Sequence, residues 1–223
     1  MPAELKIEPQ NYRLALVLQT VFFPFTYPDL INSLRARGFQ IIESLPPVSG
    51  ARAYLGGRFA TKDGCMVDVD PDRKILATDG RFLKDVMKIH QELILMATED
   101  FKVNVDKEAD YLEMISSVVV RSHKNPLKQI QTLFKSLQQI GKFSEILGTE
   151  VTLYSLRITP KETPPGSKHW LDIRIEPRAT MPESVYFVNV VYRNDNISDV
   201  LRFSSEINNR ILQLIQAVEE VSQ

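Results

Sequence analysis

The sequence predicts an α+β fold in which a largely antiparallel sheet is packed on one face by helices. Segments such as 65–70 and 171–176 alternate apolar with charged residues, as strands with one buried and one solvated face do. Two longer segments, 82–99 and 198–218, instead repeat apolar residues at a period of about 3.6, which is typical of amphipathic helices. The same order of strand, helix, strands and long helix occurs twice along the 223 residues, which predicts two similar halves in one compact unit.

The first half begins with a segment, Tyr12 to Phe23, whose aliphatic and β-branched residues predict a strand buried on both faces. Thr26 and Asp29 have the spacing of a capping box, which predicts a helix that begins near Pro28 and ends at Gly38. A short strand is then predicted at 39–43, and two or three hairpin strands follow at about 52–61, 64–70 and 73–78.

Two turns and a long helix complete the first half. Asp63-Gly64 is a tight-turn signature, and Pro71-Asp72 favours a second turn between hairpin strands. Apolar residues then recur with helical spacing from about 82 to 99, and Asp79-Gly80 is predicted to cap this helix.

The second half begins with Tyr111 to Val120, whose alternating residues predict another strand. Asn125-Pro126 predicts the start of a helix, with an apolar stripe formed by Leu127, Ile130, Phe134 and Leu137. Three strands and a final helix follow, at about 150–158, 170–176, 184–193 and from Ser198 onward.

A weak internal repeat relates the two halves. Leu14 coincides with Leu112 when the chain is shifted by 98 positions, and the final helices coincide at a shift of 114 positions. The loop 160–169 accounts for part of the difference. We therefore predict an internal duplication with halves at about 11–101 and 110–221. The alternative is a chance similarity between two α+β halves.

A duplicated strand–helix–strands–helix unit behind an antiparallel sheet resembles the TATA-box-binding-protein-like fold. The resemblance covers residues 12–220 as an order of elements, without a match to the motifs of that family. It implies a curved sheet with long helices behind it, and in that family the concave sheet binds the DNA minor groove. No functional residue is carried over to this chain by the resemblance.

Composition predicts a soluble, cytoplasmic protein without a membrane partner. The 27 basic and 28 acidic residues nearly cancel, which argues against a surface built throughout for nucleic acid. The longest uncharged run, Leu14 to Pro28, is shorter than the roughly 20 apolar residues that span a bilayer. The N-terminal residues 1–9 are polar and carry no secretory h-region, so we predict no secretory leader. A single cysteine, Cys65, allows no internal disulfide and suits a reducing compartment. Exposed strand edges leave monomer and homodimer both open.

One acidic string resembles the start of a calcium-binding loop. It runs from Asp68 to Asp72, and Asp79 stands at the twelfth position of the loop. Arg73 occupies the position where such a loop needs glycine. The string is therefore predicted to form a solvated hairpin, and no metal site is predicted here.

The histidines and the cysteine give no catalytic pattern. His90, His123 and His169 are far apart and, with one cysteine, offer no recognisable zinc ligand set. His90 lies on the apolar stripe of its helix and Cys65 on the apolar face of its strand, which predicts core positions for both. Nucleophile elbows, Walker A loops and dinucleotide-binding glycine motifs are missing from the sequence. We predict no cofactor and do not favour an enzyme, although absent motifs do not exclude one.

The solvated face of the sheet is the first candidate for binding. The strand registers predict that it carries Tyr54, Arg58, Asp68, Asp70, Asp172, Arg174 and Glu176. The proline-rich loop 160–169 ends beside an aromatic residue and could close over a partner. The predicted binding residues are Arg58, Asp68, Asp70, His169, Trp170 and Arg174.

Three functions remain open from the sequence. The leading hypothesis is a non-enzymatic module that engages a protein partner through the open sheet face, a sheet edge or the loop 160–169. The first alternative is a nucleic-acid-binding protein of transcription-factor type, which the architecture alone supports. The second is a small-molecule-binding protein or hydrolase with a pocket between helices and sheet, in which acids such as Asp68, Asp70 or Glu176 would have perturbed pKa values.

Overall fold

One nine-stranded sheet organises the chain in the computed structural model, which describes residues 5–19, 27–42, 57–134 and 139–220. In chain order the strands are β1 (Lys6–Leu18), β2 (Gln40–Ile41), β3 (Gly57–Lys62), β4 (Cys65–Asp70), β5 (Ile75–Gly80), β6 (Ala109–Arg121), β7 (Leu156–Ile158), β8 (Trp170–Pro177) and β9 (Val185–Asn194). The helices of the described residues are α1 (Tyr27–Ala36), α2 (Leu83–Glu99), α3 (Val105–Glu108), α4 (Pro126–Leu133), α5 (Gln139–Leu147) and α6 (Ile197–Glu220).

The strands lie in the order β2-β3-β4-β5-β1-β6-β9-β8-β7, and each neighbouring pair is antiparallel. The long strands β1 and β6 pair near the centre of the sheet. Tyr12 of β1 faces Gly80 of β5 on one side and Ser116 of β6 on the other. This arrangement confirms the predicted α+β fold. Strand order alone does not establish common ancestry, so the duplication and the resemblance named above stay predictions.

The sheet has one packed face and one partly solvated face, as the alternating residues predict. On β4, Cys65, Val67 and Val69 are fully buried, whereas the intervening Asp68 and Asp70 are partly exposed. α2 packs on β5 and β1, and α6 packs on β6 and β9, so both long helices lie on the apolar face. The opposite face, called the open face below, therefore carries the polar side chains of the strands.

The final helix α6 contributes a continuous apolar stripe to the core. Ile207, Ile211 and Ile215 recur every four residues and are fully buried. Burial of each such side chain stabilises the fold by about 1.5–3 kcal/mol. One polar contact fixes the helix on the central strand, because the buried Tyr12 hydroxyl donates a hydrogen bond of 2.6 Å to Asn208 Oδ1. The predicted helix from Ser198 onward is therefore confirmed.

The other long helix, α2, approaches the sheet closely at Gly80. A β-carbon built on Gly80 would lie 2.8 Å from Val86 Cγ2 and 2.9 Å from Cys65 Sγ, which is closer than real β-carbons pack. The prediction that Asp79-Gly80 caps α2 is wrong, because both residues belong to β5. The N-cap residue is Phe82, whose side chain makes no capping hydrogen bond. Gly80 is thus required by helix–sheet packing.

Strand β1 begins earlier than its apolar pattern predicts. Lys6 pairs with Arg121 and Pro9 with Val118, and a register irregularity near Gln10 separates these pairs from the rest of the ladder. The mostly polar residues 6–11 do not show the apolar pattern from which a strand is predicted. Pairing with the long strand β6 supplies the hydrogen bonds that local sequence preference does not favour.

Several predicted bounds differ from the structure. The strand expected at 150–158 pairs only over 156–158, and the helices α3 and α5 were not predicted. The turn at Asp63-Gly64 is confirmed, since both residues have positive φ, 50° and 75°. The residues Thr26, Tyr54 and Leu137 lie outside the described residues, as do the whole of the segments 20–26 and 43–56.

Candidate interaction surfaces

A polar pocket of about 420 Å³ opens on the first half of the open face. At its centre Arg13 of β1 lies between two acids: its Nη2 is 2.7 Å from Asp68 Oδ2, and its Nη1 donates to Asp79. Burial raises the pKa of Asp79, and the nearby Arg13 acts in the opposite direction. One guanidinium therefore pairs with two partly buried carboxylates and connects three neighbouring strands.

Two of the predicted binding residues line this pocket. Arg58 of β3 lies opposite Asp68 of β4 in the strand register, and both contribute to the pocket wall. Asp70 lies farther along the same strand, where it accepts a hydrogen bond of 2.9 Å from the backbone N–H of Arg73. It thus closes the β4–β5 turn, and the solvated hairpin predicted for this string is what the structure contains.

The other three predicted binding residues lie on or beside β8, in the second half of the sheet. Arg174 has its Nε 3.5 Å from Glu176 Oε2, and His169 has its Nε2 3.5 Å from Asp195 Oδ2. Trp170 is almost completely buried. Four strands separate β4 from β8, which corresponds to roughly 24 Å at the usual strand spacing. The six predicted residues therefore do not form one site.

The loop 160–169 is held against the second half of the open face. Its Ser167 carbonyl accepts a 3.4 Å hydrogen bond from Arg193 Nη1, and its Lys168 forms an ion pair with Asp110. Arg193 itself pairs with Glu113 at 2.6 Å and stacks on the Tyr111 ring at 4.5 Å. These contacts attach the loop to the sheet at its C-terminal end.

The helix α5 presents an apolar face that no sequence argument above identified. It has no buried residue, and three of its large apolar side chains are strongly exposed: Phe143 (49%), Ile146 (78%) and Leu147 (64%). Their spacing of three and four residues places them on one side of the helix. The same spacing was visible in the sequence, where Ile140 extends it by one further turn.

A second apolar surface lies between the two long helices. This α2–α6 groove has a volume of about 760 Å³ and is lined by Leu95, Thr98, Val103, Val105, Ile197 and Leu201, among others. Leu95, on the exposed side of α2, is 50% exposed. The groove is therefore an open apolar concavity on the outer side of the helical layer, away from the open face.

Two ionisable side chains are buried in the core, and burial shifts the pKa of each towards its neutral form. His90 is fully buried, with Nδ1 3.4 Å from the Thr78 hydroxyl, and burial lowers its pKa to about 4. Burial, with a smaller contribution from Asp85, raises the pKa of the Cys65 thiol to about 11. A thiol with a raised pKa is a poor nucleophile. Both core positions agree with the sequence prediction.

Two features are absent from residues 5–19, 27–42, 57–134 and 139–220: a metal-binding cluster and a membrane-spanning helix. These residues contain no group of three or more His, Cys, Asp or Glu side chains arranged to hold a metal ion. Likewise, none of the helices in the described ranges combines the length and apolar character needed to cross a bilayer.

The chain matches no protein-family model, and no curated protein is similar to it. The surfaces described above are therefore the observations that bear on function.

Proposed function

We propose that this protein is a non-enzymatic interaction module that binds a protein partner through α5. The observation that carries the proposal is the exposure of Phe143, Ile146 and Leu147 on a helix without a buried residue. Soluble proteins rarely gather large apolar side chains on an exposed surface unless it contacts a partner. The sequence predicted binding through the open face, a sheet edge or the loop 160–169. The proposed contact surface, α5, differs from all three.

The spacing of the exposed side chains favours one mode of recognition. Anchors at positions i, i+3 and i+4, here Phe143, Ile146 and Leu147, are those of a helix that lies in an apolar groove. A nine-residue helix has little stability of its own, so docking its apolar face would stabilise it further. The partner is therefore a protein with an apolar groove that accepts one helix face.

The nucleic-acid alternative has less support. Four arginines of the open face, Arg13, Arg157, Arg174 and Arg193, each lie within ion-pair distance of a carboxylate. Arginines that are neutralised in this way add little to the phosphate attraction on which nucleic-acid binding depends. A gel shift at low salt, roughly 50 mM, would favour the alternative if it weakened steeply as salt rose.

The small-molecule alternative has one observation in its favour. The pocket around Arg13 contains Asp79, whose pKa is raised by burial, and such groups are enriched at functional sites. The pocket lies on the open face, however, and the sequence favoured a position between helices and sheet. The ion pairs of Arg13 with Asp68 and Asp79 also have a structural role, because they connect neighbouring strands.

The proposal is tested with an α5 variant and a matched control. We would compare Leu147→Glu with Phe82→Glu, because Phe82, at the start of α2, is a large apolar residue of similar exposure (59% against 64%). Partners captured from the native cell should be lost with the α5 variant and retained with the control. In the purified complex, backbone amides of 139–147 should gain protection from hydrogen exchange.

Two results would count against the proposal. One is a partner that binds the α5 variant as tightly as the unmodified protein. The other is a purified complex in which protection falls only on open-face strands. Both variants alter exposed side chains, so their free energy of unfolding should change by no more than about 0.5 kcal/mol. Any loss of binding can then be assigned to the surface itself.

A further inference from the structure

We infer that the polar pocket beside Arg13 binds a small organic anion that also carries a hydrogen-bond donor, such as a hydroxyl or an ammonium group. The pocket lies on the open face, where β5 ends, and α5 contributes no residue to it. The inference therefore goes beyond the proposed function and is independent of it. The volume of about 420 Å³ is within the usual range for pockets that hold small molecules.

Two arginines of the pocket have no carboxylate partner. Arg58 of β3 and Arg81, which directly follows β5, are both exposed. Neither forms an ion pair within the described part of the chain, whereas most other arginines there do. Guanidinium groups bind carboxylates and phosphates through pairs of parallel N–H donors. Both side chains are therefore available to an anion from solution.

The floor of the pocket offers a hydrogen-bond acceptor beside these arginines. Arg13 is engaged by Asp68 and Asp79, so its own guanidinium is not available to a ligand. Asp68 accepts from Arg13 through Oδ2, and its Oδ1 accepts no hydrogen bond from the described residues. An ionised carboxylate accepts from hydroxyl and ammonium groups alike. The ligand is therefore expected to carry such a donor as well as its anionic group.

The strand register places the two kinds of group close together. Arg58 lies directly opposite Asp68, so their β-carbons are roughly 5 Å apart. Arg58 and Arg81 are two strands apart, roughly 10 Å across the sheet, and both have long side chains that can turn towards the pocket. One molecule of a few bonds in length can therefore contact both arginines and Asp68.

The charge of the pocket also favours an anion. Its three arginines outnumber its two aspartates, which leaves a net positive charge for the ligand to neutralise. Carboxylates and phosphates both supply the required anionic oxygens, so the experiment has to separate these two sources. Because the attraction is electrostatic and lies at the surface, binding should weaken as salt is added.

The test is a titration of the ¹⁵N-labelled full chain followed by NMR. The probes are L-glutamate and glycerol 3-phosphate, with sodium chloride at equal ionic strength as the control. Backbone amides of 58, 66–68 and 79–81 should shift and saturate with one of the two probes, at a Kd of roughly 10 μM to 1 mM. The probe that binds more tightly identifies the anionic group as carboxylate or phosphate.

Two further probes test the donor group. Glutarate has the two carboxylates of L-glutamate without its ammonium group, and propyl phosphate lacks the hydroxyls of glycerol 3-phosphate. The donor-free member of the tighter-binding pair should bind at least about threefold more weakly. Equal affinity within that pair would contradict the assigned role of Asp68.

Substitutions separate the pocket from the general charge of the surface. Arg58→Gln and Arg81→Gln should each weaken binding at least about tenfold. The matched control is Arg35→Gln, which removes an exposed arginine of α1 that lines no part of this pocket. Thermal unfolding should be nearly unchanged in all three variants, because the substituted side chains are exposed.

Two outcomes overturn the inference. One is the absence of a saturable shift with either probe up to roughly 50 mM, well above the expected Kd. The other is a loss of affinity with Arg35→Gln as large as that with the pocket variants, which would mean attraction to surface charge alone. Leu147→Glu, the α5 variant, should bind the anion normally. Failure of the protein contact at α5 and failure of this pocket can thus be distinguished.

Discussion

Gly80 is the residue where the absence of a side chain matters most in the described core. The space that its β-carbon would occupy is taken by Val86 of α2 and Cys65 of β4. We predict that Gly80→Ala destabilises the fold by about 1–3 kcal/mol, because α2 must move away from the sheet. Urea unfolding measures the change.

A second glycine provides the control for this prediction. Gly166 has no atom within 4 Å of its hypothetical β-carbon, so Gly166→Ala should leave stability nearly unchanged. Combining Gly80→Ala with Cys65→Ala should recover part of the loss, since one of the two contacts is relieved. Equal effects of the two glycine substitutions would show that close packing is not the cause.

His90 makes the stability of the protein depend on pH. Its folded pKa is lowered by burial to about 4 from an ordinary value of 6.5, so below pH 6.5 the unfolded chain binds a proton that the folded chain does not. Stability should therefore fall as pH decreases from about 6.5 to about 4, by roughly 3 kcal/mol in total. Above pH 6.5 this group contributes no pH dependence.

Comparison of variants isolates this contribution. His90→Leu should remove the His90 part of the pH dependence between about 6.5 and 4, as measured by urea unfolding at several pH values. His123→Leu, at an exposed position, should retain the dependence of the unmodified protein. The hypothesis is wrong if His90→Leu and the unmodified protein lose stability in parallel.

Side-chain burial could be predicted from the sequence better than side-chain partnership. The helical spacing of His90 and the strand alternation of Cys65 were enough to place both in the core. The partners of Arg13 were not predictable, because Asp68 and Asp79 are separated from it by 55 and 66 residues. Those contacts depend on β1 lying beside β5, which is a property of the topology.

At the scale of the element, the sequence predicts long helices with a repeated apolar pattern correctly. It does not predict the short elements correctly. α2 and α6 are long, and their apolar residues repeat over several turns. α5 has only nine residues and no buried side chain, so its pattern was not recognised as a helix. β7 is short because only Leu156–Ile158 finds a partner, on β8.

The different roles of the two helices give a matched prediction. Ile211→Ala on α6 removes a fully buried side chain and should cost about 2–5 kcal/mol of stability. Ile146→Ala on α5 removes an exposed one and should cost no more than about 0.5 kcal/mol. Thermal or urea unfolding compares them directly. A large loss with Ile146→Ala would mean that α5 serves the fold, and its proposed role in binding would lose its main support.

At the scale of the whole molecule, the two sides of the sheet share the junction between β1 and β6. The ladder extends from the Lys6–Arg121 pair to the Leu18–Ala109 pair. Separating the sides would leave two long strands with unpaired backbone groups and expose the buried Leu14 and Met114. We therefore predict that the chain unfolds as one cooperative unit.

Hydrogen exchange after a substitution on one side tests this cooperativity. Leu76 is fully buried on β5, so Leu76→Ala should lower the stability of the unit by about 2–5 kcal/mol. If the chain unfolds as one cooperative unit, the most protected amides of β8 should lose as much protection from hydrogen exchange as those of β4. β8 lies on the far side of the β1–β6 junction from the substitution. The exposed substitution Arg73→Gln should change neither strand. If β8 kept its protection while β4 lost it, the two sides would be separate folding units, and the junction would act as an interface between them.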